Sequence, residues 1–230
     1  MKATKQYRIQ QYHNGNLINT EDRIITEYIL NIIINQKTFI ELPCTPEFLK
    51  ELTLGYMLSN ELISSKTQII GIEVDYKDGK AYVQLSEEFT INPIDKTVLN
   101  TTTIYYAPQQ VIELMKIFDS KSQLFMETGG VHSCALCDQN KILIFREDIG
   151  RHNAVDKVIG KALLEDVNLQ DKMILTSCRV SSGIIKKVAK WRIPILASRS
   201  APTDRAIDMA RELNMQLCGF VRGGRMNIYA

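Results

Sequence analysis

Residues 127–161 read ETGGVHSCALCDQNKILIFREDIGRHNAVDKVIGK. Two short apolar runs, 131–136 and 142–145, flank the turn cluster Asp138-Gln139-Asn140, which is the pattern of a β-hairpin. Ala154, Val155, Val158, Ile159 and Leu163 then recur at helical spacing, so a helix follows the second strand. Between strand and helix lies Glu147-Asp148-Ile149-Gly150-Arg151-His152-Asn153, with two acids, an arginine and a histidine. A simple connection needs fewer ionisable groups. The structural alternative is a helix N-terminus with acids near its positive end and Asn153 as cap.

Downstream the strand–turn–helix shape recurs. Residues 173–176 form a buried strand, 177–183 (SCRVSSG) a turn and 184–191 a helix; 195–198 form the next strand, Arg199-Ser200-Ala201 a turn, and Pro202-Thr203-Asp204 starts a helix with Ala206, Ile207, Met209, Ala210 and Leu213 inward. A last strand, 217–221, precedes Arg222-Gly223-Gly224-Arg225. A hairpin followed by alternating helices and strands implies a three-layer α/β/α domain. With parallel strands, both turns open at the strands' carboxyl ends. Free backbone N–H groups, Ser177, Ser181, Ser182, Ser198, Ser200, Arg179 and Arg199 would converge there on an anion. Helix capping alone is the alternative for either turn. Arg222 and Arg225 flank two glycines that permit close backbone approach, a pairing suited to bidentate phosphate contacts.

Upstream, 5–12, 23–34 and 37–42 read as extended segments. Thr45-Pro46-Glu47 reads as a helix start, the helix running to residue 62 with Phe48, Leu52, Tyr56 and Met57 on its buried face. Gly55 in mid-helix costs about 1 kcal/mol relative to alanine, so close packing against another backbone is its expected role. Two strands, 68–76 and 81–85, meet at Lys77-Asp78-Gly79. Pro108 opens a helix, 109–118, burying Val111, Leu114, Met115 and Phe118. The expected fold class is therefore α/β, with a smaller N-terminal α+β domain at 1–118 and the three-layer domain at 119–230.

The chain has 230 residues, 45% hydrophobic and 23% charged, enough for one or two cores. Net charge is +2, too small to imply nucleic acid. Up to residue 118 there are 11 basic and 14 acidic residues, and beyond it 17 and 12, so the C-terminal part is about +5 and suits a phosphorylated ligand. No apolar signal segment opens the chain, and the run 24–34 is too short and polar to span a bilayer, so no membrane association and a cytoplasmic location are expected. The five cysteines, an odd number without a secretory signal, read as reduced thiols. There is no G-x-G-x-x-G, P-loop or H-E-x-x-H.

The segments ETGGVH (127–132), EDIGRHNAVDK (147–157), SAPT (200–203) and GFVRGGRMNIY (219–229), in this order, resemble the FdhD family, the accessory sulfurtransferases of formate dehydrogenase maturation. The resemblance extends from TPEFLKELTLGY (45–56) to Tyr229. It implies a C-terminal domain similar to the cytidine deaminase fold, and a homodimer. It also implies sulfur passed as a cysteine persulfide from a cysteine desulfurase to molybdenum bis(molybdopterin guanine dinucleotide) before insertion into apo formate dehydrogenase. Phe220, Val221, Arg222, Gly223, Gly224 and Arg225 match the family segment that binds the guanine end of the cofactor, with Gly223 at a variable site. Ser177, Arg179, Ser181, Ser198, Ser200, His132 and His152 complete the expected cofactor site, the histidines as lining groups or as hydrogen-bonded core residues. GDP is the expected surrogate ligand.

The chain departs from the family in 87–103, where members carry a C-G-x-C-G pair. The stretch TINPIDKTVLNTTTIYYAP (90–108) holds no cysteine, and the hydroxyls of Thr101, Thr102 and Thr103 cannot form a persulfide. Two substitutes are available. Cys134 belongs to Cys134-Ala135-Leu136-Cys137, but on a strand residues three apart face opposite ways, which forbids a disulfide or a shared metal. Cys178, at a helix start beside Arg179, would have its thiolate favoured by dipole and charge. A module that binds the cofactor without carrying sulfur is thus the competing function. A zinc deaminase-like hydrolase is a third, but His152 lacks a glutamate two residues on, Ser181 stands where a second cysteine would be needed, and no metal site is expected.

Overall fold

The computed structural model describes residues 2–86 and 106–230, with backbone alone for 37–39. The hairpin is β7 (His132–Cys137) with β8 (Ile142–Asp148), paired antiparallel, and helix α4 (Arg151–Leu164) follows. Beyond it come β9 (Met173–Thr176), α5 (Ser182–Lys190), β10 (Ile195–Ser198), α6 (Asp204–Glu212), β11 (Gln216–Arg222) and β12 (Arg225–Ile228). The sheet order is β12-β11-β10-β9-β7-β8, with β9, β10 and β11 mutually parallel. Strand β12 lies outside the expected elements. Gly223 and Gly224, both at positive φ (60° and 76°), turn the chain back so that Arg222 pairs with Arg225. The two arginines expected in one phosphate loop are therefore the ends of a hairpin.

Alternate residues of the strands enter two cores, as the period-2 pleat requires. Leu136, Ile174, Leu196 and Leu217 face α4, α5 and α6; Ala135, Leu175, Ala197 and Cys218 face helix α2 (Pro108–Lys121) with its Val111, Leu114, Met115 and Phe118. The result is the three-layer α/β/α arrangement that the alternation of elements implies. The boundary drawn after residue 118 falls inside α2, whose buried face packs on the larger sheet.

The N-terminal part has a second sheet in the order β4-β3-β6-β5, from β3 (Tyr28–Ile34), β4 (Lys37–Cys44), β5 (Ile69–Asp75) and β6 (Lys80–Leu85). Its inner face, Leu30, Ile32, Ala81 and Val83, packs on α1 (Leu49–Ser59). The extended stretch expected at 23–34 breaks at Thr26-Glu27. Its first part belongs to β2 (Asn16–Ile25), which forms a separate exposed ribbon with β1 (Thr4–His13).

Helix α1 joins the two parts. A Cβ at Gly55 would lie 1.9 Å from the carbonyl oxygen of Asp156 on α4, and one at Gly160 would lie 2.0 Å from that of Glu51. Two glycines thus let the helices touch backbone to backbone, as expected for Gly55. The helix begins later than expected, at Leu49 after Phe48, because the Thr45 hydroxyl does not cap it. That hydroxyl donates to Asp148 (3.2 Å) and accepts from the Lys157 ammonium (2.6 Å), which itself pairs with Asp148 at 2.6 Å. Phe48, expected inward, is 43% exposed and carries the Arg146 guanidinium 3.9 Å from its ring centre. Arg146 in turn binds both oxygens of Glu51 at 2.6 and 2.8 Å. Among the described residues no helix is long and apolar enough to cross a membrane.

Candidate functional site

The parallel strands β9 and β10 end side by side, and their following turns are tied together. Val180 N donates to the Ala201 carbonyl (3.0 Å), Thr203 N to that of Val180 (2.9 Å), and the Ser198 hydroxyl to that of Cys178 (2.6 Å). Crossing the end of the sheet from the hairpin side, Ser133 N donates to the Ser177 hydroxyl (2.9 Å) and Ser177 N returns a bond to the Ser133 carbonyl (3.1 Å). On the other side Phe220 N reaches the Ser200 carbonyl (3.1 Å), with Phe220 at φ 52° in a break of the β11–β12 register. Helix α3 (Gln123–Thr128) and Gly129-Gly130-Val131 close the rim.

These elements enclose a cleft of about 590 Å³, inside the usual range for a small-molecule site. His132, Ser177, Ser200, Phe220 and Arg222 of the expected site all line it. Arg199, which the turn reading included, does so too and is paired with Asp119 at 3.4 Å. Arg222 lies 5.6 Å from the Phe220 ring centre, and Phe125 supplies a second aromatic side chain. Two guanidinium groups, four serines, a histidine and two aromatic rings suit a ligand with an anionic end and a flat end. A larger groove, about 1070 Å³, crosses the four-stranded sheet, but its lining is mainly Ile, Val, Tyr and amide side chains with Glu73 its one charge among the described residues. Its chemistry does not fit an anion.

Other expected residues stand apart from the cleft. Ser198 is fully buried beneath it, accepting from Ser200 N at 3.0 Å, so it shapes the turn without touching the cavity. Val221 points into the core under α2. Gly223, Gly224 and Arg225 form the exposed hairpin beyond the rim. Arg179, Ser181 and His152 gather around the start of α5, where Gly183 approaches the His152 ring. Burial and the nearby Lys187 and Arg151 push the His152 pKa down to about 4, and burial with Arg151 and Arg179 lowers that of His132. Both imidazoles are therefore neutral at pH 7. Among the described residues no group of three or more His, Cys, Asp or Glu could hold a metal.

Within the ionisable loop, Asp148 and Asn153 engage the start of α4 and the N-terminal half together. Asp148 accepts from Gly150 N (2.8 Å) and from the Asn153 side chain (3.0 Å), while Asn153 also donates to the Pro43 carbonyl (2.8 Å) and caps nothing. Asp148, Asn153 and Lys157 thus fasten the two halves together. Ser122, Phe125, Gly129, Gly130, Val131 and Ser133 also line the cleft and lie outside the expected site. The glycine-rich ETGG preceding the hairpin signals Gly129 and Gly130; nothing in the sequence singles out Ser122, Phe125 or Ser133.

The cysteines are all buried free thiols. Cys178 does not sit on the helix dipole: it lies four residues before α5, 2% exposed, within hydrogen-bonding distance of the Thr176 hydroxyl, and burial raises its pKa. Its expected activation is therefore reversed by desolvation. Cys134 and Cys137 enter opposite cores, and burial raises both. The region expected to hold the family's cysteine pair, 87–103, lies outside the described residues.

A model of the FdhD/NarQ family matches residues 25–102 and 88–230 of this chain. The sulfur carrier protein FdhD of Bacillus subtilis (strain 168) is 38% identical over 251 aligned residues, covering 99% of this chain and 96% of the relative. That of Staphylococcus aureus (strain MRSA252) is 34% identical, covering 96% and 92%. A crystal structure of a putative formate dehydrogenase accessory protein from Desulfotalea psychrophila superposes with a TM-score of 0.85 at 23% identity, over 99% of this chain and 96% of that one, a likeness of fold.

Proposed function

This chain belongs to the FdhD/NarQ family, and from that membership we propose that it is an accessory protein of formate dehydrogenase maturation whose cleft holds the guanine dinucleotide end of the molybdenum cofactor. The observation that carries the reading is the convergence of Ser177, Ser200, Arg199, Arg222, His132 and two aromatic rings at the carboxyl ends of parallel strands. Arg199 and Arg222 would take the pyrophosphate as bidentate donors, the serines and turn amides its remaining oxygens, and Phe125 or Phe220 the purine face. Neutral His132 can donate or accept one hydrogen bond without competing for the anion. The cofactor is cargo: its molybdenum chemistry belongs to the client enzyme.

Relatives bearing the name sulfur carrier protein support a carrier role; for it we propose a cysteine desulfurase as donor and the apoenzyme as recipient, in the cytoplasm. A second reading is favoured by one observation, the burial of every cysteine. On that reading the chain presents the cofactor and carries no sulfur, because a persulfide forms only on a thiolate that the donor can reach.

Two experiments test these readings. Millimolar GDP should raise the melting temperature of the wild-type protein, a stabilisation of about 2.7 kcal/mol at a hundredfold excess over Kd, and Arg222→Ala should abolish most of it. Equal melting with and without GDP would remove the cofactor reading. Incubation with a cognate desulfurase and cysteine, followed by mass spectrometry of the cysteine peptides, then decides sulfur carriage: a stoichiometric added sulfur eliminates the presenting-only reading, and its absence eliminates the carrier.

A further inference from the structure

Helix α3 forms one wall of the cleft, yet its own N-cap is unused: Ser122 makes no side-chain bond to the first turn. Its hydroxyl is turned instead to that of Ser133, 2.9 Å away. The cap comes from a different element. Glu147, on β8 and 8% exposed, accepts from Leu124 N and Phe125 N, each at 3.2 Å, and from the Ser133 hydroxyl at 3.2 Å. Leu124 and Phe125 occupy the second and third positions of the helix, where an N-cap oxygen ordinarily binds. From that anchored turn the chain runs into Phe125, Gly129 and Gly130, all on the cleft.

We propose that Glu147 is a positioning residue for the cleft: its buried carboxylate replaces the missing helix cap and fixes α3, and with it the aromatic and glycine wall, relative to the serines of the sheet. A six-residue helix has too few internal bonds to hold itself, so the wall depends on this anchor. An ionised carboxylate accepts all three bonds at once, whereas a carboxamide or protonated acid turns a donor towards amides that are themselves donors. Burial and the nearby Glu47 raise the pKa of Glu147, against the lowering by its three donors, so the anchor should weaken at a pH higher than for an ordinary glutamate. The groups facing it are Leu124 N and Phe125 N of α3, Ser122 and Ser133, with Glu47 the further charge; Lys157 reaches its backbone carbonyl at 3.3 Å.

The inference rests on the cleft being the nucleotide site, and its test separates the two. In the wild type the amide proton shifts of Leu124 and Phe125 should titrate together with a midpoint above the usual glutamate range, and in Glu147→Gln that titration should vanish while amide exchange at 124–125 and 129–130 quickens. GDP affinity should fall at least about tenfold in Glu147→Gln at pH 8, and the two proteins should converge as acid neutralises the wild-type carboxylate. Titration of the GDP phosphates and of His132 is common to both proteins and cancels in the ratio. Unchanged exchange in the variant, or no joint titration in the wild type, overturns the anchor. Local loosening with unchanged GDP affinity overturns its role in positioning. A wild type that does not bind GDP overturns the nucleotide reading, leaving the shift and exchange measurements to decide whether Glu147 holds the wall.

Discussion

At the scale of single residues, the buried charges separate structural from chemical roles. Lys157 and Asp148 are both fully buried, 2.6 Å apart, and share the Thr45 hydroxyl, while the Thr45 amide donates to Asp148 alone. Removing one partner leaves an uncompensated interior charge, so Lys157→Ala should cost about 3–5 kcal/mol in a urea unfolding experiment, more than the double replacement of both residues. His152 acts through the same balance. Its pKa is depressed to about 4 in the folded chain, so the unfolded state, with the ordinary value of 6.5, binds more protons between these limits. Stability should therefore fall as pH drops from about 6.5 to 4, and His152→Asn should flatten that slope. An unaltered slope in the variant would show that other groups set it. The cysteines complete the residue scale: burial and raised pKa predict that a thiol reagent at pH 7 labels none of the five in the native protein and all five in denaturant.

At the scale of elements, the contact of α1 with α4 sets how the two sheets sit. Gly55→Ala gains about 1 kcal/mol of helix propensity, but its methyl would meet the Asp156 backbone at 1.9 Å, and such overpacking costs about 1–3 kcal/mol or more. The clash should win, giving a net loss of stability measured by thermal melting. This contact was legible in the sequence, since a glycine in mid-helix is costly without a backbone to admit. The parallel strands and their turns were equally legible, because strand–turn–helix alternation leaves few topologies. Strand β12 was not, since Gly223-Gly224 reads as well for a phosphate loop as for a hairpin turn. The start of α1 was misplaced because a Thr-Pro-Glu opening gives no sign that Asp148 and Lys157, about a hundred residues on, claim the threonine hydroxyl. The turns also exposed the limits of motif reading. Ser177 and Ser200 reach the cleft, while Ser198, of the same residue type and two positions from Ser200, holds the floor from below.

At the scale of the whole molecule, the N-terminal sheet braces α4 through α1, and the C-terminal sheet presents its carboxyl edge to a ligand. The excess of positive charge in the C-terminal half is expressed there by Arg199 and Arg222. Backbone amide shift mapping during a GDP titration of the intact protein tests this account most directly. The account predicts the largest changes at Gly129, Gly130, Ser177, Ser200 and Phe220, all lost in Arg222→Ala. Changes centred on the groove of the four-stranded sheet, or none at saturating GDP, would contradict it.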